Sequence, residues 1–170
     1  MNANFTAGKL AIAPSASSSK QDFDYLVGSW KISNRKLQEP LSGRDEWVEF
    51  DATQNCRAIL HGSGNFDVFS TVMDGRPFEG FTLRLFDPKT RLWTIYWADS
   101  EGAKLDGGKV GSFDGDIGDF FSREELAGKK GIVRFHWDKR NRQAPVYSAA
   151  FSVDDGATWE WNWHAHFERR

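Results

Sequence analysis

One cysteine, Cys56, occurs in 170 residues. An internal disulfide framework is therefore excluded, and the usage fits a reducing compartment. No neighbour activates Cys56 as a nucleophile, so it reads as a small half-buried residue. No apolar run approaches the ~18 residues that a membrane-spanning helix requires. The opening stretch MNANFTAGKLAIAPSASSSK holds only a short apolar patch, Leu10 to Ala13, against the about seven residues of a secretory core. Charge of one sign is missing too: the formal net charge is −2, with both signs mixed along the chain. That excludes a basic surface for nucleic acid. These absences predict a cytoplasmic protein with no nucleic-acid and no membrane partner; self-association as a homodimer is left open. The Ala/Ser/Pro content of residues 1–21 reads as a disordered tail ahead of a single domain, 22–170.

What the chain does have is aromatic surface and turns: eight Trp, fourteen Phe and sixteen Gly. This suits short twisted strands and argues against a helical bundle. Alternating patterns predict strands over 27–37, 45–53, 56–62, 66–73, 78–86, 91–99, 109–113, 117–121, 131–138, 145–153 and 158–168. Turn chemistry separates them, as at Asp74-Gly75, Asp87-Pro88, Asp114-Gly115 and Asp155-Gly156. Short connections imply antiparallel neighbours. Ser122 to Glu125 has the form of a capping box and is the one candidate helical turn.

Sidedness points to a shared interior. One face reads Phe81, Leu83, Leu85; Trp93, Ile95, Trp97; Val133, Phe135, Trp137; Tyr147, Ala149, Phe151. The final strand adds Trp159, Trp161, Trp163, Ala165 and Phe167. Thr82, Arg84, Arg134, His136, Ser148, Glu160 and Asn162 take the opposite faces. A domain nearly without helices must cover its apolar faces with each other, and closing the sheet does so while removing edges. The expected fold is all-β: a closed antiparallel up-and-down barrel of about ten strands. About eight strands are just filled by side chains or hold one small ligand. Ten enclose more, which favours a pocket over a barrel plugged by its indoles.

Gly28-Ser-Trp30 on the first strand and Phe167-Glu-Arg169-Arg170 at the end resemble the lipocalin and calycin signature. The resemblance implies that Trp30 closes the barrel floor, with Arg169 or Arg170 stacked on its indole. Further segments extend it: Asn34 to Leu37, Glu46-Trp-Val-Glu-Phe50, Gly62-Ser-Gly-Asn65, Gly80 to Pro88, Trp93 to Asp99, Ala150 to Gly156, and Thr158-Trp-Glu-x-Asn-Trp163. Together they resemble a bacterial family of lipocalin-like domains of unknown function, over residues 22–170. The family pattern has apolar or acidic residues at His164-Ala165-His166, so the resemblance assigns these histidines no role.

Ser152-x-Asp154-x-Gly156-x-Thr158-Trp159 matches the Asp-box pattern of sialidase propellers. One copy in a chain this short is a structural hairpin. His61-Gly-Ser-Gly64 lacks the helix N-terminus that a phosphate site needs, and Asp114 to Asp119 lacks the spacing of a calcium loop. No metal site and no cofactor is expected. The main functional reading is binding of a small hydrophobic or aromatic molecule between Phe81, Trp97, Phe135, Tyr147, Trp161 and Trp163. Asn34 and Lys36, on the face of Trp30 and Ile32, are polar fixers for such a ligand. An alternative is a cofactor-independent isomerase, cyclase or hydratase, with His61, His164 or Asn34 handling a proton. A second alternative is a haem barrel of the nitrobindin type, which requires a histidine inside near the last strand. A bulge near Asn162 would invert the alternation of that strand.

Overall fold

The computed structural model describes residues 3–6 and 9–170. A hairpin, β1 (Ala3–Thr6) and β2 (Lys9–Ile12), precedes the barrel strands β3 (Gly28–Leu37), β4 (Trp47–Ile59), β5 (Gly64–Met73), β6 (Arg76–Asp87) and β7 (Leu92–Asp99). They continue as β8 (Lys109–Asp114), β9 (Ile117–Leu126), β10 (Lys129–Asp138), β11 (Val146–Ser152) and β12 (Glu160–Arg169). The ten strands β3 to β12 form a closed antiparallel barrel in up-and-down order. β12 returns to β3 with Trp163 opposite Lys36 and Arg169 opposite Trp30. Every barrel strand thus has two neighbours, and no barrel edge is left open.

Several sequence expectations are corrected here. Segments 45–53 and 56–62 form one strand to Ile59: pairing with β3 runs unbroken from Leu37↔Trp47 to Gly28↔Cys56, overriding the turn preference of Gln54-Asn55. Ser122 to Glu125 is strand, not helix. The Ser122 hydroxyl bonds the Glu124 carboxylate at 2.6 Å instead of capping amides, and β9 pairs β10 along its whole length. Within residues 1–21, read from composition as a disordered tail, Phe5 and the segment from Ser15 to Ser19 contact the barrel. Phe5 lies edge-on to Phe121 (5.1 Å) and Trp159 (6.0 Å). Arg91 donates to the carbonyls of Ala16 (2.8 Å) and Ser18 (2.9 Å), and the Trp93 indole N–H donates to that of Ser19 (3.0 Å). Composition does not reveal these contacts, because the groups that hold the segment lie more than 70 residues away in sequence.

One end of the barrel is sealed. Phe23, fully buried, meets Trp93 and Phe113 edge-on at 5.0 Å each. Lys139 ties down the preceding residue through the Asp22 carbonyl (3.0 Å) and carboxylate (3.2 Å). The Trp30 indole N–H donates to the Leu26 carbonyl at 2.7 Å, and the Arg169 guanidinium lies 4.1 Å from the Trp30 ring centre. Arg169 also donates to the carbonyls of Tyr25 (2.6 Å) and Val27 (3.0 Å), clamping the 3-10 turn Asp24–Leu26 beneath the barrel. Gly28 has φ +125°, and a Cβ there would lie 2.7 Å from the Arg169 guanidinium. Both backbone and space therefore demand glycine beside Trp30.

Candidate functional site

Above the sealed floor the barrel is hollow. A cavity of about 390 Å³ is bounded by side chains from nearly every strand, including Ile32, Gln54, Arg84, Trp97, Phe135, Tyr147 and Trp163. This volume falls within the roughly 300–1,000 Å³ of small-molecule sites. The interior is a pocket, not a plug.

The rings are held in place by polar contacts. Asn34 Oδ1 accepts from the Trp163 indole N–H at 3.0 Å, while its amide nitrogen reaches the carbonyls of Ile32 and Phe50, both at 3.3 Å. Trp97 donates to Asp99 at 3.3 Å and fills the space over Gly80, where a Cβ would collide with the indole. Tyr147 crosses Phe135 edge-on at 5.2 Å and Trp163 at 6.1 Å. Burial pushes the Tyr147 hydroxyl well above the usual phenol range, so it stays protonated.

The polar lining is richer than the sequence analysis expects. Arg84 sits above the floor, its guanidinium 5.3 Å from the Phe23 ring and 5.7 Å from Trp137. It donates to Asp67 at 2.5 Å and to Asn65 at 3.0 Å. Burial opposes the charge on Arg84, but the Asp67 carboxylate outweighs burial and raises its pKa. Cys56 lies opposite Asp67 on β4; burial pushes its thiol up to about 12, with Arg84 and Asp67 pulling in opposite directions. It is an inert thiol at neutral pH. Elsewhere on the lining Lys109, 3% exposed, bonds Asp106 and lies 2.7 Å from Glu124.

The structure brings Trp97, Phe135, Tyr147, Trp163 and Asn34 together around one cavity. It does not bring the other candidates there. Phe81 is on the outer surface against Phe66 (5.8 Å), because the inward face of β6 is Gly80, Thr82 and Arg84. Hydrophobicity alone predicts the row Phe81, Leu83, Leu85 as inner; the structure places it outward. Trp161 is outside because the β11–β12 register shifts between Ala149 and Ala150: Ala149 pairs with Trp163, Ala150 with Trp161. The bulge puts Asn162 on the cavity side with Trp163 and turns Trp161 toward Arg134 and His136. The tryptophan row of the last strand is therefore split.

The histidines do not reach the cavity either. His61 occupies an exposed turn at φ 52°. His164 belongs to an outer cross-strand row with Asp119, His136, Ser148 and Arg35. There its Nδ1 hydrogen-bonds Ser148 Oγ (2.9 Å), and its ring stacks on Trp47 (5.6 Å) and Trp161 (6.3 Å). Burial, then Arg35 and His166, lower its pKa, keeping the ring neutral at pH 7. His166 is exposed on the same side. The proposed catalytic trio is therefore not assembled, and the haem reading loses the internal histidine it requires.

Arg84, Asp67, Gln54, Thr82, Asp106, Lys109 and Glu124 were missed. A signal existed for two of them: Asp67 and Arg84 each interrupt an apolar run in strands joined by the Asp74-Gly75 turn. That turn sets Asp67 opposite Thr82, which leaves Arg84 diagonal to Asp67 on one face.

The Asp-box motif is a hairpin clasp away from this cavity. Asp154 accepts from the Thr158 amide (2.8 Å) and hydroxyl (2.6 Å) and from Ser152 (2.7 Å). The Thr158 bonds above all lower its pKa to about 2. Because the folded value is depressed, this stabilisation is present above the ordinary carboxylate value of 3.8 and is lost as pH falls toward 2. Carboxyl NMR titration should therefore find Asp154 ionised down to about pH 3, with amide protection of Thr158 lost only below that; a midpoint near 3.8 would refute the clasp.

No protein-family model matches the chain, and no curated protein matches it. Among the described residues, no group of three or more His, Cys, Asp or Glu side chains could hold a metal ion, and no helix is long and apolar enough to cross a membrane.

Proposed function

We propose that the chain is a lipocalin-like binding protein that encloses one small, largely apolar molecule in its barrel. The observation that carries this reading is the cavity of about 390 Å³ inside a closed barrel, walled by Trp97, Phe135, Tyr147 and Trp163. A folded chain that leaves such a void forgoes dispersion contacts which a ligand would restore. The lipocalin-like assignment draws on the up-and-down closure together with the Trp30–Arg169 stack. The charged groups among the lining residues are matched to each other, as in Arg84–Asp67 and Lys109–Glu124. This favours binding over proton transfer.

The test is a thermal-shift and native mass-spectrometry screen of the full chain against aromatic and alicyclic lipophiles. A ligand at a hundred times its Kd adds about 2.7 kcal/mol, a rise in Tm of roughly 5–10 °C for a domain of this size. Tryptophan emission should change in step, since Trp97 and Trp163 line the cavity. A Trp97→Ala variant should weaken binding while emission of the remaining indoles still reports it. No shift and no bound mass across such a panel would defeat the proposal.

A further inference from the structure

Two nitrogens of the cavity lining, Nε2 of Gln54 and Nε of Arg84, have no partner among the described residues; the one acceptor left over in the same panel, Asp67 Oδ1, belongs to the carboxylate already paired with Arg84. Both side chains are deeply buried, Gln54 at 6% and Arg84 at 2% exposure. A buried donor without an acceptor is destabilising, so each calls for an oxygen that the chain itself does not supply. They belong to one wall. β4, β5 and β6 are consecutive in the barrel, and Asp67 lies opposite Cys56 on one side and Thr82 on the other. Gln54 and Cys56, Asp67, and Thr82 and Arg84 thus form a continuous polar panel. Across the barrel, β10, β11 and β12 present Phe135, Tyr147 and Trp163.

We propose that the occupant of this cavity is a neutral carbonyl compound, an aromatic or alicyclic ketone, ester or amide. Its oxygen docks on the Gln54–Arg84 panel and its rings lie against Phe135, Tyr147 and Trp163. This rests on the binding reading above and narrows the ligand class. A plain hydrocarbon would fill the space but leave both donors unmet. A carboxylate fits less well, because the cations of the lining are already matched. Arg84 is paired with Asp67, and Lys109 with Asp106 and Glu124. A carboxylate would shed its hydration next to these acids without gaining a counter-charge of its own. A neutral carbonyl accepts both hydrogen bonds at much lower desolvation cost.

Calorimetric titration of the full chain with three shape-matched probes tests this: methyl naphthyl ketone, ethylnaphthalene and naphthoate. The ketone should bind about tenfold tighter than ethylnaphthalene, the worth of one to two buried hydrogen bonds, and tighter than naphthoate. In Gln54→Leu, which keeps the volume and removes one of the two donors, the ketone's advantage should fall to about threefold, while ethylnaphthalene binds at least as well as before. Ligand-free Gln54→Leu should melt no lower than the unmodified protein, since an unmet donor has been removed. Equal affinity for ketone and ethylnaphthalene overturns the carbonyl assignment while leaving cavity binding intact. Tightest binding of naphthoate, or a lowered ligand-free melt in Gln54→Leu, also overturns it. If none of the three binds, the binding reading itself falls and takes this inference with it.

Discussion

Asp67→Leu is expected to be among the most damaging single substitutions in the chain, at about 3–5 kcal/mol, because it strands the charge of Arg84 in the barrel. The pair is almost wholly enclosed, with side-chain exposures of 3% for Arg84 and 0% for Asp67. It is also incompletely satisfied: Asp67 Oδ1 and Arg84 Nε have no partner among the described residues. That second fact predicts an asymmetry. Removing one partner leaves an uncompensated charge, whereas replacing both with apolar groups removes the charge and its unmet atoms together. Asp67→Leu combined with Arg84→Met should therefore recover most or all of the lost stability. Urea unfolding of the two single variants and the double variant measures the coupling directly. A cost below about 1 kcal/mol for Asp67→Leu would mean that the charge escapes to solvent and the barrel is not closed around it.

Trp30→Ala is the second large effect, at about 3–5 kcal/mol for truncation of a buried indole. Trp30 is fully buried and joins three parts of the floor: the Leu26 carbonyl through its N–H, Phe167 edge-on at 5.8 Å, and Arg169 across its face. Against a total stability of about 5–15 kcal/mol, its loss should lower the melting temperature by on the order of 10 °C. Trp30→Phe separates the contributions, since it retains a ring under Arg169 and gives up only the N–H bond and some area. It should cost about 1–2 kcal/mol. Equal losses for Phe and Ala would show that the Leu26 hydrogen bond, and not the stacked indole, holds the floor.

Sealing at this end also gives the binding reading its direction. Phe23, Trp30 and Trp93 occupy the floor, and Arg84 sits on it. A ligand entering from the opposite end would pass the Lys109–Glu124 pair and the aromatic walls before reaching the Gln54–Arg84 panel. Specificity would therefore be decided at the deepest point, where water is scarcest and a missing hydrogen bond is most costly.

A barrel of about ten strands, its antiparallel order and its closure were legible along the chain, though two expected segments merged into β4. They follow from local turn chemistry at sites such as Asp74-Gly75 and Asp114-Gly115, and from the need of apolar faces to cover one another. The Trp30–Arg169 contact was readable too, as a resemblance carried by Gly28 and the terminal arginines. Inner and outer faces were legible only where polarity agrees with position, as in Trp93-x-Ile95-x-Trp97 and Val133-x-Phe135-x-Trp137. On β6 that agreement fails: Thr82 and Arg84 face inward and Phe81 outward. A charged side chain can occupy the interior only when a partner on another strand compensates it, and here that partner is Asp67. On β12 one extra residue at the bulge reverses the parity of everything before it, moving Trp161 out and leaving Trp163 in. Alternation along a strand is a local quantity with period two, so the sequence by itself determined that ten strands would close around aromatic rings. Which face of each strand looks inward depends on register and on charge pairs between strands, and only the tertiary structure decided that.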